Sequence, residues 1–159
     1  MGAVLVGREW RQGGIAHALV GDGRDWRRMG NVFSDDASAS YGGRALPDRA
    51  AILSMLRNNL GGCGPTQHLL GNLQVWMDGE HITSRIEVRA SHRGTGDKQD
   101  QTYDCMGHYQ DRGTRTPQAW RIGHRPMGVG RECGSRKGHG PDPAETHVRG
   151  ASGAANVKG

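Results

Sequence analysis

Two hydrophobic periods divide the chain. Ile15, Ala18 and Leu19 fall at i, i+3, i+4, which puts them on one helical face and predicts a short helix that Gly21 ends near Asp22. Asp25 is placed to cap a second helix with Met29, Val32 and Phe33 on its apolar face, closed by Ser34-Asp35-Asp36. A short strand over 37–41 leads through Gly42-Gly43 to a third helix, where Ile52, Leu53, Leu56 and Leu60 form the stripe and Gly61-Gly62 the stop. The period then drops to two. Ile82, Ser84, Ile86, Val88, Ala90 and His92 alternate with polar residues, as on a strand with one covered and one wet face. Further strands are predicted over 68–77, 102–111 and 119–125, with Asp78-Gly79 as a hairpin signal. Helices first and a meander of strands after them argue for an α+β fold.

The two ends lack such periodicity. Residues 1–14 read as an irregular lead-in, with Gly13-Gly14 weakening any helix through them. Residues 127–159 hold eight glycines, two prolines and no apolar stripe, and are expected to form a disordered tail. One domain over residues 15–126 remains, within the usual size for a single core.

Composition makes that core thin. Leu, Ile, Val and Phe together number 24 of 159 residues, against 27 glycines, so a subunit interface is expected to complete it. The net charge of +5 is interspersed rather than clustered, which makes nucleic acid an improbable partner. Cys63, Cys105 and Cys133 form no C-x-x-C pair, and no apolar run approaches the roughly 18 residues of a membrane span. A protein of the cytoplasm with reduced thiols and no membrane contact is expected. The eight histidines show no zinc-ligand spacing and Gly-x-Ser-x-Gly is absent, so neither a metal site nor a serine nucleophile is predicted.

Three stretches carry a resemblance. They are Asp22-Gly-Arg-Asp25-Trp26 with Phe33-Ser-Asp35-Asp36-Ala37 and Tyr41-Gly42; Pro65-Thr66-Gln67-His68 with Gly71-Asn72; and Gly107-His-Tyr109-Gln-Asp111 with Ala119-Trp120-Arg-Ile122-Gly-His124-Arg125. In this order and spacing the chain resembles the SnoaL-like family of the nuclear-transport-factor-two-like superfamily, whose relatives include polyketide cyclases, scytalone dehydratase and hexachlorocyclohexane dehydrochlorinase. The resemblance implies a cone-shaped barrel, in which a curved, mostly antiparallel sheet wraps around the N-terminal helices and admits a small apolar ligand. It also implies that Asp22 faces His68 across that cavity, that Arg125 at the end of the last strand lies near it, and that His17, Tyr41 and Asn72 belong to the pocket.

Local chemistry fits the pair. A histidine titrates near neutral pH and can take a proton, while a carboxylate on its second ring nitrogen fixes the tautomer. The competing reading is a histidine that only satisfies backbone groups at a strand start. Strand parity adds Val88, Ala90, Tyr103, Cys105 and Tyr109 as pocket walls. The expected activity is that of a lyase or isomerase without cofactor, of the dehydratase, dehydrohalogenase or cyclase type. His68 would abstract a proton from carbon of a small hydrophobic or aromatic ring compound, and Arg125 would hold a leaving anion or developing oxyanion. The alternative is a non-catalytic ligand-binding module or a small subunit of a ring-hydroxylating oxygenase. A homo-oligomer is expected, a trimer before a dimer.

Overall fold

The computed structural model describes residues 8, 10, 16–78 and 80–142. Helix α1 covers 16–22 among these residues, and its end carries Asp22. Asp25 does cap the next helix, its carboxylate accepting the Arg28 N–H at 3.1 Å, but α2 (Trp26–Met29) lasts only one turn. Val32 and Phe33, predicted on its face, leave it. The Val32 carbonyl accepts the Ile122 N–H at 2.9 Å and Phe33 pairs with Ile122, so Phe33 opens a strand, β1 (Phe33–Tyr41), that includes Ser34-Asp35-Asp36. Long-range pairing outweighs a helical spacing that four residues cannot sustain.

Gly42 and Gly43 both have positive φ, 56° and 83°, and Tyr41 pairs with Arg44 across them. This is the backbone of a two-residue type I′ hairpin, which returns the chain as β2 (Arg44–Leu46), a strand the hydrophobic pattern did not announce. Asp48 then caps α3 (Arg49–Leu60), accepting the Ala51 N–H at 2.7 Å, and the helix buries Ile52, Met55, Leu56 and Leu60. The antiparallel meander β3 (Thr66–Asp78), β4 (His81–Arg93), β5 (Thr102–Arg115) and β6 (Trp120–Gly134) follows. Along β4 every even residue from Ile82 to His92 is buried, as the alternation predicts. Strand order is β2-β1-β6-β5-β4-β3, with β1 and β6 parallel and the other pairs antiparallel. The result is an α+β fold with a curved sheet that does not close. No helix among the described residues is long and apolar enough to cross a membrane.

Residues on both sides of the expected 15–126 domain pack against it. Trp10 is 5% exposed and meets Trp120 edge-on at 6.4 Å, so part of the lead-in belongs to the core; 11–15 lie outside the described residues. At the other end β6 runs nine residues past Arg125, paired with β5 as far as Tyr103↔Gly134, and places Arg125 within the strand rather than at its end. This segment has no apolar stripe because backbone bonds to β5 hold it, and glycines allow the approach. A Cβ at Gly107 would stand 3.2 Å from the Gly128 carbonyl carbon. A 3₁₀ turn, Arg136–Gly138, follows, and Gly140 bonds back to Asn59 and Gly62. Residues 143–159 of the expected tail lie outside the described residues.

A chain stopped after Pro126 removes the ladder along half of β5. Its thermal unfolding, followed by circular dichroism, is expected to lose cooperativity; a melting temperature equal to that of the full chain would contradict this role for residues 127–142.

Candidate active site

The Asp22 carboxylate joins α1 to the start of β3. Its Oδ1 lies 2.6 Å from His68 Nδ1 and accepts the Thr66 hydroxyl at 2.9 Å, and its Oδ2 accepts the His68 backbone N–H at 2.9 Å. Burial pushes this carboxyl's pKa up, but the His68 side-chain and backbone bonds, its ring charge and the Thr66 hydroxyl together hold it below the usual aspartate value. Because the carboxylate can only accept, the ring nitrogen facing it carries the proton and Nε2 is left as the basic nitrogen.

Arg24 holds this arrangement in place. It sits at φ 54°, a left-handed conformation that costs a non-glycine residue roughly 1–2 kcal/mol. Its guanidinium donates to the carbonyls of Asp22 (2.5 Å), Leu60 (3.0 Å), Cys63 (3.2 Å) and Gly64 (2.6 Å) and to the Thr66 hydroxyl (2.8 Å). One side chain thus ties the end of α1, the end of α3 and the start of β3 together. Sequence reasoning assigned no role to Arg24 or Thr66, because neither has a spacing that marks it.

His68 lines a cavity of about 770 Å³ between α1, α3 and the concave face of the sheet. His17, Tyr41, Ala90, Tyr103, Cys105 and Tyr109 also line it. Two expected wall residues do not. Val88 is packed at 3% exposure into a cluster with Ile86 and Tyr109, behind the lining. Asn72 is exposed at φ 51°, in the interval where the β3–β4 register shifts, and that bulge reverses the parity of β3 so that Leu73 and Val75 take the inner face. Asp22 stands behind His68 and is not itself wall.

Arg125 lies one layer deeper than expected. It is 1% exposed, outside the cavity lining, and grips Asp111 through two bonds of 2.7 and 2.6 Å. Its guanidinium stacks 4.2 Å from the centre of the Tyr109 ring. Burial would lower the pKa of this group, and the Asp111 carboxylate outweighs that and raises it above its usual value. Its remaining nitrogen, Nη1, has no hydrogen-bond partner, and neither do His17 Nε2 and Tyr41 Oη, although all three are buried. Burial, then Arg125, then His68 hold His17 well below the usual histidine pKa. This end of the cavity is therefore polar without a negative group open to it.

At the other end sits His92, missed as a site residue though its parity pointed inward. Its ring lies 5.3 Å from that of His68, and its Nδ1 is 3.3 Å from the Tyr103 carbonyl. Burial, followed by His68 and His139, pushes its pKa down to about 4. A histidine with a lowered folded pKa contributes stability that is complete above the unfolded value near 6.5 and is lost as the pH falls. The urea midpoint is expected to fall between pH 6.5 and 4, and to fall less in His92→Leu. Equal slopes for the two proteins would show that His92 is not held neutral.

Comparison with known proteins agrees with this architecture. The SnoaL-like domain model matches residues 9–126. The uncharacterized protein Rv2910c of Mycobacterium tuberculosis is 34% identical over 105 residues, covering 64% of this chain and 69% of that protein. Among solved structures, a candidate aromatic ring hydroxylase from Novosphingobium aromaticivorans superposes with a TM-score of 0.76 at 21% identity, covering 83% of this chain and 94% of that one. A candidate scytalone dehydratase from the same organism gives 0.74 at 16% identity, covering 89% and 95%. A type 2 hexachlorocyclohexane dehydrochlorinase, LinA, gives 0.68 at 14% identity over 89% and 95%. With the domain model matched across the helices and most of the sheet, the chain belongs to the SnoaL-like family.

Proposed function

We propose that this protein is a cofactor-independent lyase or isomerase of the dehydratase, dehydrohalogenase or cyclase type, acting on a small hydrophobic ring compound. The observation that carries the reading is the 2.6 Å contact between Asp22 and His68 Nδ1, with the same imidazole forming part of a cavity wall. His68 Nε2 takes a proton from a ring carbon, and the electron pair left behind moves toward a carbonyl oxygen or expels a leaving group from the next carbon. Asp22 stabilises the imidazolium that results, a contribution of about 10²- to 10⁴-fold for a positioned base. Tyr41, on the wall, takes the developing oxygen. Arg125 assists from behind, its charge drawing the Tyr41 pKa down against the burial that raises it.

The fold neighbours that bear dehydratase and dehydrochlorinase names support this class of reaction. The apolar wall of Met29, Met55 and Leu56 supports it as well. Association into a homo-oligomer, a trimer first, is part of the same reading. Leu69 and Met106 lie in one cross-strand row of the outer sheet face, 56% and 50% exposed, and would be covered by a second copy.

Proton abstraction can be measured without knowing the natural substrate. Cyclic ketones such as 1-tetralone, incubated with the protein in D₂O and followed by proton NMR, are expected to exchange the hydrogens next to the carbonyl. In His68→Ala the rate should fall about a hundredfold. Exchange that is unchanged in His68→Ala would remove His68 from the chemistry; no exchange with any ketone would favour a binding module.

A further inference from the structure

Residues 127–142 lie beyond the matched family domain, yet they build one side of the cavity. Met127 to Glu132 on β6, then Arg136 and His139, are part of its wall. Backbone contacts fix this segment. The Ser135 N–H donates to the Thr102 carbonyl at 2.7 Å, and the Gly62 N–H to the Gly140 carbonyl at 2.7 Å. The fit is close at glycines: a Cβ at Gly62 would stand 2.7 Å from the Pro141 oxygen, and one at Gly138 would stand 2.9 Å from Gly94 Cα. The chain after β6 is therefore seated on the end of α3 and the β4–β5 turn, and it carries His139 with it.

His139 packs edge-on against His92 at 4.9 Å and against Tyr103 at 5.0 Å, and its Nδ1 is buried without a hydrogen-bond partner. The Tyr103 hydroxyl is already committed, donating to Glu132 and accepting from Arg136. It is not free to meet a ligand. His92 is different. A backbone carbonyl only accepts, so the Nδ1 facing the Tyr103 carbonyl must carry the proton, and Nε2 is an acceptor. Along β5, Tyr103 and Tyr109 are six residues apart, about 20 Å at strand rise, so this pair of imidazoles lies at the opposite end of the cavity from His17 and Tyr41.

We infer that His92 and His139 form a hydroxyl-binding subsite, completed by the segment after the family domain, which selects ligands bearing a phenol or alcohol group. A hydroxyl donates to His92 Nε2 and accepts from the N–H of a neutral His139, so it satisfies both rings at once. An ether or a carboxylate can only accept and leaves the His92 lone pair unmet. Burial lowers the pKa of both histidines, which keeps them in this neutral form at pH 7. The subsite concerns the same cavity as the proposed reaction but does not depend on proton abstraction by His68.

The probes are 2-naphthol and its methyl ether, 2-methoxynaphthalene, titrated against the full chain by ligand fluorescence at pH 7.5. The wild type is expected to bind the naphthol about tenfold more tightly than the ether, the value of one neutral hydrogen bond made or lost. His139→Phe, which keeps an aromatic ring at the contact, should bring the two dissociation constants within about twofold of each other, as should His92→Phe, while His68→Ala should keep the tenfold preference. A wild type that exchanges no ketone hydrogens, or exchange that is unchanged in His68→Ala, together with an intact preference for the naphthol would refute only the proton-abstraction reading. A wild type that binds both probes equally, one that binds neither saturably, or an undiminished preference in His139→Phe would each overturn the subsite.

Discussion

A single carboxylate joins the helices to the sheet beside the cavity. Asp22 ends α1, His68 lies near the start of β3, and the two are 46 positions apart in the chain. Three hydrogen bonds converge on the two oxygens of Asp22, and two of them come from His68, one from its ring and one from its backbone. The imidazole is thereby fixed in position and tautomer together, the preorganisation that the proposed proton abstraction would draw on. Arg24 is the counterpart on the outside of the joint, binding the loop that connects α3 to β3 and accepting a left-handed backbone to do so. A local cost that the surroundings hold in place is typical of a site that must keep its geometry.

The sheet supplies the rest by ordering polar groups in rows. The level of Tyr109 holds Arg125, Tyr41 and His17; the level of Cys105 and Ala90 holds His68; the level of Tyr103 holds His92 and His139. Asp111 neutralises Arg125 in the layer behind, and breaking such a buried pair by removing one partner typically costs about 3–5 kcal/mol. This anchors the far end of the cavity while leaving unpartnered polar atoms of His17, Tyr41 and Arg125 beside it. Met29, Met55 and Leu56 form an apolar part of the wall, on which the proposed ring substrate would rest.

Much of this was legible from residue order. The period of two in β4 marks its inward face, the stripe of α3 marks Ile52, Leu56 and Leu60 as buried, and the spacing of Asp22 and His68 within a family-like pattern brings the two together. What failed did so for identifiable reasons. Phe33 was drawn out of a helix by a pairing partner 89 residues away, and Asn72 was turned outward by a bulge that parity cannot foresee. Beyond Arg125 a strand held by main-chain bonds and glycine contacts has no hydrophobic period to detect, so His139 was hidden in what read as tail. Arg24 makes five long-range or local bonds through one guanidinium, and no spacing rule encodes them.

Everything in this site follows from Asp22 dictating which nitrogen of His68 carries the hydrogen. Long-range nitrogen–proton NMR correlation of the imidazoles reports which ring nitrogen bears the hydrogen. The neutral His68 imidazole is expected to carry its hydrogen on Nδ1 with Nε2 bare, and to become a mixture of tautomers in Asp22→Asn. An Nε2-protonated His68 in the wild type, or a spectrum that Asp22→Asn leaves unaltered, would contradict it.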